Sequence, residues 1–317
     1  NGSDYILFFA NGPNWWQKDS VNQRFIHRKN FYSDKSYYFL AIGNNGKRVS
    51  TATHSFTPNT TVNSFSGRYF YESDTVNLLA SGKQWYGEEF SNLPGRTLTR
   101  SFQTYVPGIV SGSPIQVITN CIARSAGTGS QFAIKLNNVS LGTIPVAAVG
   151  TGPYDLFARD ATHTAVANIS QSNPLISYTF TPGSFNAQGW LNWFEIFSRR
   201  QLIISDTGPL LFRDWLSVGN NIAEFLIGNA ISSTQVWDIT DPLAPVKMVS
   251  AVSNSNLRFV NSTAMLREYI AFDERHFFIP EPLGRVANQN LHAAPPADYI
   301  IIVYPPFTTG RKTGQVP

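Results

Sequence analysis

One cysteine stands in 317 residues, so no disulfide can form within the chain. Small scaffolds that depend on such bridges are excluded. Cys121 sits in the apolar, strand-like run PIQVITNCIARS and reads as a small buried hydrophobe rather than a nucleophile. Charge is scarce as well. Asp, Glu, Lys and Arg make up 14% of the chain, where soluble domains usually carry about 25%. Basic residues do not gather beyond the pairs Arg28–Lys29 and Arg199–Arg200. A nucleic-acid binder would line them up on a stripe, so no nucleic-acid partner is expected, and the net charge of +4 implies none by itself. No apolar run is long enough to span a membrane as a helix. The first residue is Asn with no basic and apolar leader after it, so any export signal is expected to be removed or to lie upstream. Phosphate loops, dinucleotide fingerprints, zinc-ligand spacing and a Gly-x-Ser-x-Gly elbow are all missing.

What is present is aromatic and β-forming: 23 Phe, 13 Tyr and 7 Trp among many Asn, Ser, Thr and Gly. Segments 5–10, 36–42, 68–73, 100–106, 115–123, 131–138 and 175–180 are short, aromatic or β-branched, and bounded by turn residues. Their close spacing predicts all-β sandwiches rather than alternating α/β units. Asn137–Asn138 predicts a hairpin turn. In GWLNWFEIF, strict alternation sets Trp190, Asn192, Phe194 and Ile196 opposite Leu191, Trp193, Glu195 and Phe197. Neither set is polar, which predicts a strand buried on both faces. Helical signals are few. Residues 72–81 could form a turn or two, and 211–220 read as strand-like.

The polar SNLPGR predicts a boundary near residue 95. The expected division is a small aromatic-rich β domain over 1–95, a jelly-roll-like β-sandwich over 96–280, and a linker from 281. Within 281–317 the apolar run Tyr299–Tyr304 reads as a buried strand of a parallel sheet, the first of an α/β domain whose remainder is missing. The tail TTGRKTGQVP has no apolar period to supply the next helix.

Several clusters invite chemistry. Glu88 and Glu89 are adjacent acids, but neighbours in a strand point to opposite faces, which favours a turn and strand start. Trp85 and Tyr86 beside them, with Trp15 and Trp16, are candidates for packing or for a binding surface. His27, Asn30, Ser33 and Asp34 read as a side-chain-capped turn rather than a triad. Asp238 and Asp241 are two candidate oxygen donors for a structural calcium ion, which needs six or more ligands. Trp190 and Trp193 read as core rather than as a sugar platform. No other cofactor is implied. Four Asn-x-Ser/Thr sequons, at Asn59, Asn138, Asn168 and Asn261, are what an Asn- and Ser-rich chain yields by chance.

Five stretches carry a family resemblance: FFANGPNWW (8–16), HRKNFYSDKSYYFL (27–40), YESDTVNLLASGKQWYGEEF (71–90), VWDITDPLAP (236–245) and VANQNLHAAPPADYIIIVYPPF (286–307). In this order they resemble the region before the protease domain in PorU-like proteins, the gingipain-family signal peptidases and sortases of the type IX secretion system. The resemblance implies an exported protein at the outer-membrane surface of a Gram-negative Bacteroidetes-type bacterium, with secretion components and cargo proteins as partners. It also implies a caspase-like domain with a His–Cys dyad that removes cargo sorting signals. That dyad lies outside these residues, so no catalytic residue is carried over and the chain alone is expected to be inactive. A different class stays open beside it: a free-standing surface β-sandwich that binds glycans or proteins.

Overall fold

The computed structural model describes residues 5–43, 46–78, 84–169, 171–219, 222–287, 290–301 and 303. They fall into two units, 1–277 and 278–317. In chain order the strands of the first are β1 (Trp15–Asp19), β2 (Arg24–Arg28), β3 (Ser50–Thr51), β4 (Thr60–Val62), β5 (Ser64–Glu72), β6 (Glu89–Phe90) and β7 (Thr99–Gln103). Next come β8 (Pro114–Arg124), β9 (Ser130–Leu136), β10 (Val139–Val146), β11 (Arg159–Asn168), β12 (Leu175–Thr181) and β13 (Gln188–Gln201). The last are β14 (Leu210–Phe212), β15 (Ile222–Gly228), β16 (Gln235–Asp238), β17 (Val246–Lys247), β18 (Ser250–Ser253), β19 (Asn256–Ser262) and β20 (Tyr269–Phe272). The chain is all-β, as the spacing of its aromatic runs predicts.

The sheet β10-β9-β12-β7 faces the sheet β11-β8-β13-β5, with β6 added beside β13. Between them lies a core of Phe90, Phe132, Tyr178, Phe180, Leu191 and Phe194 with their aliphatic neighbours. Alternation makes this core: β9 and β12 bury every second residue. Asn137 (φ 47°) and Asn138 (φ 66°) form the predicted two-residue turn between β9 and β10. Gly189 is needed in β13, because a Cβ there would lie 2.6 Å from the Phe132 ring. A second pair of sheets, β14-β20-β16-β17-β3 and β18-β19-β15-β4, encloses Phe65, Phe212, Phe225, Phe259 and Tyr269.

Residues 1–95 do not form a body of their own, nor 96–280 a single sandwich. β5 pairs with β13, β4 with β15 and β3 with β17. The physical reason is that these early strands lack partners among themselves and complete sheets made later in the chain. The chain passes between the two sandwiches at Asn63 and again at Gln201–Leu202. There the Leu202 N–H donates to the Asn63 carbonyl at 2.9 Å.

Other expectations are corrected in detail. β13 carries a bulge between Leu191 and Trp193, so alternation does not run through it. Leu191 joins Phe194 and Ile196 in the core, while Trp193, Glu195 and Phe197 take the outer face. Segments 5–10 and 36–42 are irregular, because no sheet edge pairs with them. Phe39, Leu40 and Ile42 stand exposed. Residues 73–78 hold an isolated bridge, Val76 to Tyr86, in place of a helical turn, and 79–81 lie outside the described residues. Trp215–Ser217 is a 3-10 turn capped by Asp214. In the second unit, Tyr299, Ile300 and Ile301 are exposed irregular backbone rather than buried strand, for no strand is described in that unit to pair with them. Residues 302 and 304–317 are outside the described residues.

Candidate functional site

Among the described residues, the hairpin β1–β2 pairs only with itself. It lies on the outer face of the sheet that contains β5 and β13. Phe25 is the plug: it is buried, 5.6 Å from Trp215. The guanidiniums of Arg68 and Arg213 stand over its ring at 5.0 and 4.5 Å. Alternation turns Trp16 inward, against Phe70 and Phe197 at 6.2 Å each, and leaves Trp15 exposed. The His27 ring stacks on Phe70, and its backbone N–H donates to Glu195 Oε1 at 2.9 Å. Burial, helped by the Lys29 charge, pulls the His27 pKa down to about 4, so the ring is neutral at physiological pH. Burial raises the Glu195 carboxyl above its ordinary range.

Where the hairpin runs on into residues 29–34, a cleft of about 670 Å³ opens against the end of β5, within the usual span of ligand pockets at roughly 300–1,000 Å³. Phe31, Tyr32, Phe70, Tyr71, Glu72 and Trp85 line it. Lys29 Nζ meets Asp74 Oδ2 at 2.5 Å. Asp74 Oδ1 is buried, with no hydrogen-bond donor among the described residues except a protonated Glu72. Burial, and then the neighbouring Asp74, push Glu72 up to about 7. Among the described residues, the cleft is thus lined by one ammonium, Lys29, and three carboxyl groups, Asp34, Glu72 and Asp74.

The structure brings His27, Asn30, Ser33, Asp34 and Trp85 to this one cleft. It makes no triad of them. The Ser33 hydroxyl donates to the Lys35 carbonyl at 2.9 Å, and Asn30 Oδ1 accepts the Tyr32 N–H, which is a capped turn. Tyr86 is tied to Val76 through its backbone. Glu88 and Glu89 do diverge: Tyr71 donates its hydroxyl to Glu88, while Glu89 takes Ser91, Arg96 and Gln188. Tyr71's hydroxyl is driven upward by burial and by that acid.

Asp238 and Asp241 are not assembled as ligands. Arg267 Nη1 holds Asp238 Oδ2 at 2.8 Å, and the Thr240 N–H holds Oδ1 at 3.0 Å. Asp241 accepts the Leu243 N–H at 3.0 Å as a turn cap. Among the described residues no group of three or more His, Cys, Asp or Glu could hold a metal. Cys121 is fully buried in the sandwich core, and burial pushes its thiol far up. Trp190 is buried as well.

Sequence reasoning passed over Lys29, Glu72 and Asp74. The signal was faint: an acid at the end of a strand and another two residues on share one side of an extended chain. Their lysine comes from 45 residues away.

An all-β chain of two tandem sandwiches with a strapped hairpin, and no reactive sulfur in reach of a base, is the class this fold defines. The same fold is found in a solved protein. Dimeric latent PorU from Porphyromonas gingivalis superimposes with a TM-score of 0.73, over 91% of this chain and 28% of that one, at 20% identity. The chain thus spans under a third of the length of that structure. The C-terminal CBM6 of LamC, a laminarinase from Zobellia galactanivorans, overlaps 31% of this chain and 70% of its own at 17% identity, with a TM-score of 0.22, too slight to bear on the fold. No family model and no curated protein sequence matches.

Proposed function

We propose that the chain is the non-catalytic amino-terminal region of a gingipain-family cysteine protease and sortase of the type IX secretion system. It positions the protease domain and contacts cargo or secretion machinery at the outer-membrane surface of a Bacteroidetes-type cell. The observation that carries this reading is the shared fold over nine-tenths of the chain, joined to the five ordered blocks of sequence. The buried thiol supports it from the other side, since a sulfur with no solvent access and a raised pKa cannot act as a thiolate.

The test is a region exchange. PorU with its corresponding region deleted, and the same protein carrying this chain instead, are compared for maturation of exported cargo. Restored maturation is expected. A hybrid that is exported and folded yet leaves cargo as unprocessed as the deletion does would refute the reading. The isolated chain should hydrolyse no peptide. Cleavage that is blocked by thiol alkylation and lost in Cys121→Ala would overturn the non-catalytic assignment.

A further inference from the structure

β5 ends its sheet, pairing with β13 on one side only. Among the described residues no backbone hydrogen bond reaches Arg68–Glu72 from the other side. Residues from both faces of the strand, Phe70, Tyr71 and Glu72, line the cleft. The cleft therefore reaches the end of the strand whose edge is open. An unpaired edge offers a row of N–H and C=O groups to an extended chain, and its side-chain pockets then set the preference.

Among the described residues, the pocket beside this edge holds more carboxylates than cations. Lys29 engages one oxygen of Asp74, and the other is buried with no donor among the described residues except a protonated Glu72. Glu72 faces the same aspartate, and Asp34 adds a further carboxylate to the wall. His27 is neutral, so it does not make up the difference. Trp85 and Phe31, 41% and 64% exposed, also line the pocket. A second cation there would be held by carboxylates and aromatic faces together.

We propose that an extended polypeptide adds to the free edge of β5 and places an arginine or lysine side chain against Glu72 and Asp74. This deepens the accessory reading and rests on it only for which polypeptide is met.

The test measures binding to the whole chain by calorimetry, somewhat above pH 7. The probes are a short end-blocked peptide with one arginine among Thr, Val and Ser, its citrulline counterpart, a version with prolines flanking the arginine, and free arginine amide. The arginine peptide should bind roughly ten-fold or more tightly than the other three. Glu72→Gln and Asp74→Asn should each bring it toward the citrulline level, and Trp85→Ala should weaken it. Glu72→Gln keeps shape and volume, so it decides the matter if Asp74→Asn does not fold. Equal binding of arginine and citrulline peptides, or no binding, removes the cationic pocket. Equal binding of the proline peptide or of arginine amide removes the added strand. Setting the peptide measurements beside the region exchange made with the unsubstituted chain separates the two readings. Restored maturation alongside peptides that show no arginine preference overturns the pocket alone. Failed maturation alongside intact peptide preference overturns the accessory role alone.

Discussion

Phe25→Ala tests whether the β1–β2 hairpin is a strap or a foundation. The phenyl ring is 1% exposed and wedged among Trp215, Arg68 and Arg213. Burying a Phe contributes about 1.5–3 kcal/mol, and each desolvated cation–π contact roughly 0.5–2 kcal/mol. Their sum agrees with the cost of about 3–5 kcal/mol found for Phe→Ala in cores. An isolated two-stranded hairpin is marginal in water, so most of what fixes this one is docking through that plug. The loss should therefore appear as local opening, by about 10²–10³ in the opening equilibrium. Native-state hydrogen exchange reads this directly at Trp15–Arg28, above all at the His27 N–H bonded to Glu195. The main thermal transition, carried by the two sandwich cores, should fall far less. If protection in the hairpin stays unchanged while the main transition drops by the full amount, the hairpin is integral and the argument fails.

Glu72 carries a folded-state pKa raised to about 7. The folded state then binds more protons than the unfolded one between the ordinary carboxylate range and pH 7, so this group's contribution falls as pH rises through that window. His27, depressed to about 4, acts oppositely, adding stability as pH rises toward its ordinary 6.5. Glu72→Gln should raise the melting temperature above neutrality and leave it unchanged in mild acid; parallel pH profiles would contradict this. Cys121 should resist maleimide in the native protein and react only in denaturant; labelling without denaturant, followed by mass spectrometry, would contradict its burial. Asp238→Ala strands the Arg267 charge and should cost about 2 kcal/mol in chemical denaturation, below the usual figure for a fully buried pair because Arg267 is part-exposed. Millimolar calcium should leave the melting temperature unmoved, and an upward shift lost in Asp238→Ala would restore the calcium reading.

The sandwich strands were legible because one-sided burial writes itself as alternation, as in QFAIKL, and because Asn137–Asn138 adopts the left-handed backbone a tight hairpin needs. The bulge at β13 was not legible. Asn192 looks like any member of the alternation, and its bond to Asn120 exists only once β8 is alongside. Segments 5–10 and 36–42 have every local mark of strands, but a strand is made by its neighbour, and none comes. The cleft failed to show for a related reason. Trp85 and the 27–34 turn stood out singly, while Glu72, Asp74 and Lys29 gain meaning only where the hairpin meets β5.

The pairing of β5 with β13 sets a clock on synthesis. Tyr71 waits for Phe194, about 120 residues further along, so at ribosomal speed the aromatic stretch SFSGRYFYE stays partnerless for roughly 6–25 s. Neither sandwich can close while its early strand floats, and a sticky, aromatic ribbon is on offer throughout. A chain built this way calls for an escort until β13 has emerged.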